Sequence, residues 1–132
     1  MRANIYSMNA YTIKHHIKSL PYNIKYGFRN LLRWFPIIWQ DRNWDFSYIY
    51  IMLRHKLYYT ERSIRSGHFE GCEKEAKIIQ ACVEILDRLI EDDYYKNLDS
   101  VEDEFTVSEY LKNQDKRILF DTLREKIEYW WD

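Results

Sequence analysis

Glycine and proline are almost missing from this sequence. Gly27, Gly67, Gly71, Pro21 and Pro36 are the only such residues among 132. A β-sandwich or barrel must turn the chain every ten residues or so, and it needs turn residues to do it. Their scarcity therefore points to a few long helices with short connections. Apolar residues make up 46% of the chain, a globular rather than a disordered balance. The length suits one domain with one buried core. The expected fold is all-α. It is a small bundle built on a long antiparallel helix hairpin (about 45–66 and 70–95), with flanking N- and C-terminal helices. The expected domain spans 1–132, with residues 1–20 a loosely attached N-terminal segment.

The pattern along the chain fills in that outline. A short helix is expected around Tyr11 to Leu20, carrying Lys14, His15, His16 and Lys18. A firmer helix runs from about Pro21, which suits a first turn, to Trp34. Ile24, Phe28, Leu31, Leu32 and Phe35 give it one apolar stripe. Pro36 disfavours helix at Phe35, so a bend is expected there, with Ile37, Ile38 and Trp39 plugging the core beyond it. Asp45 is the expected N-cap of the second helix, Asp41 caps the preceding turn, and Gly67 follows the C-terminus. Ile49, Met52, Leu53, Leu57 and Ile64 form the buried stripe of that helix. In the third helix Cys72, Ala76, Ile79, Val83, Leu86 and Ile90 alternate by four and three, the spacing of a packed seam. Residues 96–107 read as a polar connection. Thr106-Val-Ser-Glu109 fits a capping box for the last helix, whose apolar face is Leu111, Ile118, Leu119, Leu123, Ile127 and Trp130. Trp130 and Trp131 should dock on the body or on a partner rather than stand in water.

Charge is divided along the chain. Residues 1–66 hold eleven Lys/Arg against three Asp/Glu, and residues 67–132 hold nine against eighteen, so halves of +8 and −9 give a net −1. The halves can attract each other within one fold or across an antiparallel dimer, or the basic half can offer a patch to an anion. Cys72 and Cys82, on one helix, lie about 15 Å apart, too far for a disulfide, and form no C-x-x-C pair. A reducing compartment without a zinc site is expected. No secretory signal and no membrane-spanning apolar run is visible, so a cytoplasmic location with no membrane partner is expected.

Three stretches carry a resemblance. Trp34-Phe-Pro-Ile-Ile-Trp-Gln-Asp-Arg-Asn-Trp-Asp45, the block Cys82 to Tyr95, and the ending from Leu119-Phe120 to Trp130-Trp131-Asp132 resemble a group of small uncharacterised bacteriophage proteins. Those proteins place a W-x-D-R-D-W-D cluster before a long helix. A cysteine-containing helix ending in paired tyrosines follows, and the C-terminus reads W-W-D. The likeness covers residues 34–132 in outline. Asn43 stands where an aspartate is usual, and the middle connection is shorter than in many relatives. The resemblance implies a phage origin and action in an infected bacterial host, and it brings no established activity.

Catalytic signatures are sparse. Neither G-x-G-x-x-G nor G-x-x-x-x-G-K-[ST] occurs, and there is no H-E-x-x-H or Glu-x-x-His pair. His15, His16, His55 and His68 follow no ligand rhythm. Cys72 and Cys82 read as core thiols, and Asp41 and Asp45 as caps rather than metal ligands. The expectation is a protein that is not an enzyme and needs no cofactor. A binding reading rests on the row Trp44, Tyr48, His55, Tyr59 and Arg62, spaced by four, seven, four and three. Its rings can hold a base while cations such as Arg42, Arg54, Lys56 and Arg65 answer phosphate. The same row serves equally as a surface packed on another helix. The candidate ligand-binding residues are Arg42, Trp44, Tyr48, His55, Lys56, Tyr59 and Arg62. The leading functional reading is a non-catalytic, oligomeric phage counter-defence protein that sequesters a nucleotide-derived immune signal. The alternatives are a protein-binding inhibitor or adaptor and an accessory protein of nucleic-acid metabolism. A net charge of −1 weighs against the last.

Overall fold

The computed structural model describes residues 10–96, 98 and 103–130, with side chains from residue 20 onward. The described residues are helical and contain no strand. They divide into two compact units, Met1–Asp41 and Arg42–Asp132. The division falls after Asp41.

The described part of the first unit is built on one helix, α1, Ala10–Gln40, 31 residues long and about 46 Å along its course. It takes in the expected short helix and continues as helix through Pro21 and Pro36, so the chain stays helical at Phe35. Each proline removes one backbone donor. The apolar stripe keeps helical register on both sides of each one, and helix is what that periodicity favours. The Asp41 amide closes the C-terminus by donating to Ile37 and Ile38 carbonyls at 3.1 and 3.3 Å. Ile38 and Trp39 are exposed, and the buried core found among the described residues lies in the second unit.

The second unit contains α2 (Ser47–Arg65), α3 (Cys72–Glu91) and α4 (Glu104–Lys126), followed by a 3-10 turn, Ile127–Tyr129. Both α2 and α3 form the expected hairpin, with α3 ending four residues earlier than its pattern suggested. Arg54 pairs with Asp87 and Arg65 with Glu73, which fixes the antiparallel sense and joins the basic to the acidic half. Arg88 with Asp115, and Lys126 with Glu75, set α4 antiparallel to α3 in the same way. The central α3 packs on both neighbours. It therefore buries Cys82, Ile85 and Leu89 as well as the expected Ala76, Ile79, Val83 and Leu86. On α2 only Leu57 and Ile64 of the expected stripe are fully buried, Leu53 packs at the edge, and Ile49 and Met52 are exposed. The face that meets α3 is turned toward Tyr50 and Leu53 instead.

Local geometry explains the ends. Gly67 follows Ser66, the C-cap of α2, and its N–H donates to the Ile64 carbonyl at 2.9 Å. A Cβ there would stand 3.0 Å from that oxygen and 3.1 Å from the Phe69 ring. Gly71 begins α3 with φ +87°, a left-handed conformation that suits glycine. The last helix starts earlier than expected. Asp103, not Thr106, is its cap, accepting the Thr106 N–H at 3.1 Å. The buried side of α4 is Ser108, Asp115, Leu119 and Leu123, while Leu111, Ile118 and Ile127 are exposed. Trp130 docks as expected and is 8% exposed. Its indole N–H donates to Glu75 Oε2 at 3.1 Å. Trp131 lies outside the described residues.

Candidate functional site

The segment before α2 is shaped by Asp45. Its Oδ1 accepts both the Ser47 N–H at 2.9 Å and the Ser47 hydroxyl at 2.6 Å, and those bonds lower its pKa. Phe46 occupies the cap position itself. Asp45 therefore steadies the helix start from one residue further out, and Trp44 is left 83% exposed in the turn.

Of the seven candidate ligand-binding residues, the structure brings three into a linked cluster with one addition, Tyr58. The His55 and Tyr59 rings meet edge-on at 5.0 Å, and Tyr59 meets Tyr58 edge-on at 5.3 Å. The Arg62 guanidinium donates to the Tyr58 hydroxyl at 3.0 Å and lies 5.6 Å from that ring. No described contact joins Trp44, Tyr48 or Lys56 to the cluster, and Lys56 is exposed. Arg42 is exposed in the turn with Trp44. From Tyr48 to Arg62 the helix rises about 21 Å, more than one mononucleotide can span.

Two recesses in this unit carry aromatic and charged groups together. One, of about 380 Å³, lies between α2 and α3 and is lined by Arg54, Tyr58, Glu61, Gln80, Val83 and Glu84. Arg54 is committed to Asp87, and the two glutamates disfavour an anion there. The other, of about 270 Å³, lies where the start of α2 meets the end of α3 and the middle of α4. Its wall includes Phe46, Tyr50, Asp92, Lys112 and Lys116. Phe46 and Tyr50 meet edge-to-face, centroids 6.4 Å apart at 90°. Lys112 donates to Asp92 Oδ1 at 2.7 Å, and that bond raises its pKa, keeping it cationic. Lys116 makes no ion pair among the described residues. This recess was not legible in sequence, because its residues come from three helices. The i, i+4 pairs Phe46 and Tyr50, and Lys112 and Lys116, were its local signals.

The remaining charged groups hold the bundle together. Asp115 accepts from Arg88 at 2.8 and 2.9 Å and from the Tyr94 hydroxyl at 2.8 Å. Burial pushes its carboxyl up, and the bonds from Arg88 and Tyr94 outweigh that and hold it below the usual range. Burial, then the Asp115 bond, raises the Tyr94 phenol. Glu75 follows the Asp115 pattern: burial raises it, while the Trp130 and Lys126 bonds bring it below its ordinary value. Both cysteines are free, and burial pushes the Cys82 thiol up to about 11. Among the described residues no group of three or more His, Cys, Asp or Glu is placed to hold a metal ion. No described helix is long and apolar enough to cross a membrane. Compared with known proteins, the chain matches no protein-family model, no curated protein and no solved structure.

Proposed function

We propose that this chain is a non-catalytic binding protein that sequesters a small nucleotide-like anion, with phage counter-defence as the setting implied by its sequence resemblance. The observation that carries the reading is the recess between α2, α3 and α4. There the edge-to-face rings of Phe46 and Tyr50 line one recess with Lys116, which makes no ion pair among the described residues, and with Lys112, whose ammonium is paired with Asp92. Rings bind a base by stacking without reading its sequence, and cations answer the phosphate. Ligand pockets run from about 300 Å³ upward, so about 270 Å³ suits one base or phosphate group rather than a polymer. The His55–Tyr59–Arg62 cluster on α2 is the second place where a ligand of this class would dock.

A thermal-shift screen tests the proposal, using cyclic di- and trinucleotides, ADP-ribose derivatives and short single-stranded DNA and RNA. A ligand at a hundred times its dissociation constant stabilises a fold by about 2.7 kcal/mol, several degrees at this size. One selective small-nucleotide shift is expected. Lys116→Glu should abolish it and leave the helical circular dichroism intact. Loss of the shift in Tyr59→Ala or Arg62→Ala, but not in Lys116→Glu, would move the site to the α2 cluster. A flat response across the panel would sink the proposal and leave a protein partner as the better reading.

A further inference from the structure

The outer surface of α1 is the largest feature that the ligand reading leaves unused. Leu20, Ile24, Phe28, Leu31, Phe35 and Ile38 follow one another by four, four, three, four and three residues, which keeps them on one side of a helix. Their side chains are 52% to 61% exposed. The stripe extends about 27 Å and contains no polar side chain. Trp39 lies beside it, 71% exposed, with its ring 5.4 Å from that of Phe35.

The opposite side is cationic. Lys25, Arg29 and Arg33 follow at steps of four, and the Arg29 guanidinium lies over the Tyr26 ring at 4.4 Å. No acidic residue occurs anywhere from Met1 to Gln40. A helix with a continuous aliphatic and aromatic face, a polar face whose charged residues are all basic and low overall hydropathy has the pattern of one that lies in the plane of a membrane interface.

We infer that α1 docks flat on an anionic lipid surface, its Leu20–Ile38 stripe sunk at the acyl boundary and Lys25, Arg29 and Arg33 reaching lipid phosphates. Charge decides among occupants. Two copies joined through this stripe would leave those cations on the outer faces, with no carboxylate on either helix to answer them. An anionic bilayer answers each cation and covers the whole stripe at once, because its apolar layer has no directional demands. The sequence expectation was of no membrane partner; it rested on the absence of a spanning apolar run, and α1 lying on a bilayer requires no spanning length, so this inference departs from it. This inference is independent of the nucleotide site and is read without any nucleotide present.

Co-sedimentation of the full chain with vesicles tests it. Phosphatidylcholine vesicles containing phosphatidylglycerol should pull the protein down, and pure phosphatidylcholine should hold much less. Raising the salt should weaken the difference, since the attraction is screened. Each cation near an anionic surface contributes about fivefold to partitioning, so a Lys25→Glu, Arg29→Glu, Arg33→Glu variant should lose about a hundredfold or more. Those three residues leave the stripe intact, and circular dichroism of the variant checks that the chain still folds. A Phe28→Asp, Leu31→Asp variant should lose binding through the other face. Protein that stays in the supernatant with anionic vesicles overturns the inference, as does equal binding to neutral ones. So does a solution dimer that Phe28→Asp, Leu31→Asp dissociates while vesicles capture nothing, which would give the stripe to a second copy.

Discussion

Asp115 stands where the period of α4 calls for an apolar side chain, between Ser108 and Leu119 on the buried side. Its neighbours repay the desolvation. Arg88 grips both carboxylate oxygens and Tyr94 donates a third bond. Asp115→Ala would leave a half-exposed guanidinium and a partly buried phenol without their acceptor. Water reaches Arg88, so the cost is discounted to about 1–2 kcal/mol, readable as a lower urea midpoint. The sign of the pH effect follows from the lowered pKa values of Asp115 and Glu75. A carboxylate that ionises more readily when folded adds stability above its unfolded pKa, about 4, and loses it as pH falls through the folded value. Stability should hold near neutrality and decline below about pH 4, less steeply in Asp115→Ala. The cysteines supply a second residue-scale test. Cys82 is 2% exposed with its thiol near 11, so a disulfide reagent at neutral pH should modify it only as fast as the fold opens. Labelling at the rate of a free thiol in the native protein would contradict that burial. None of the Asp115 chemistry was legible in sequence, because an apolar-stripe search passes over a polar residue in a buried position. Counting Leu111, Ile118 and Ile127 instead turned the face of α4 too far round.

Helices are read most safely where one periodicity and a glycine agree, and the hairpin of α2 and α3 shows both. Elsewhere two rules competed. Proline at position 36 argued for a break, yet the stripe from Leu20 to Ile38 continues through it and α1 follows the stripe. The capping-box pattern put the start of the last helix at Thr106, yet Asp103, three residues earlier, caps α4. Cys82, Ile85 and Leu89 fell outside the expected seam of α3, because no local pattern reports that α3 packs on a second helix as well as on α2. Two element-scale predictions follow from these ends. Gly71→Ala should cost about 1 kcal/mol, the penalty of a side chain in a left-handed conformation. A Cβ there would meet nothing within 4 Å, so no steric term adds to it. A loss of 3 kcal/mol or more in denaturant unfolding would mean that this backbone is held for another reason. Trp130→Ala removes the ring that pins the end of α4 to Glu75 on α3 and should cost about 3 kcal/mol. Trp130→Phe keeps most of the packing and should cost about 1 kcal/mol. Equal losses in the two would assign the docking to the hydrogen bond alone.

At the scale of the whole molecule, every residue of the buried core, from Leu57 to Trp130, belongs to the unit Arg42–Asp132. The aromatic row on α2 was visible in sequence because it lies on one helix. The ring-and-lysine recess was not, because Phe46, Tyr50, Lys112 and Lys116 meet only when three helices pack. The placement of the core leads to a prediction about folding. A chain of residues 42–132 retains the twelve core hydrophobics buried among the described residues and the ion pairs that join α2 to α3 and α3 to α4. It is large enough to bury one core, if modestly. It should therefore unfold in one cooperative transition, followed by circular dichroism in urea. Asp115→Ala and Trp130→Ala should shift its midpoint by the same free energies as in the full chain, since distant and independent sites add. A broad, non-cooperative transition, or mutational effects that differ by more than about 0.5 kcal/mol between the two chains, would show that residues 1–41 contribute to the stability of that core.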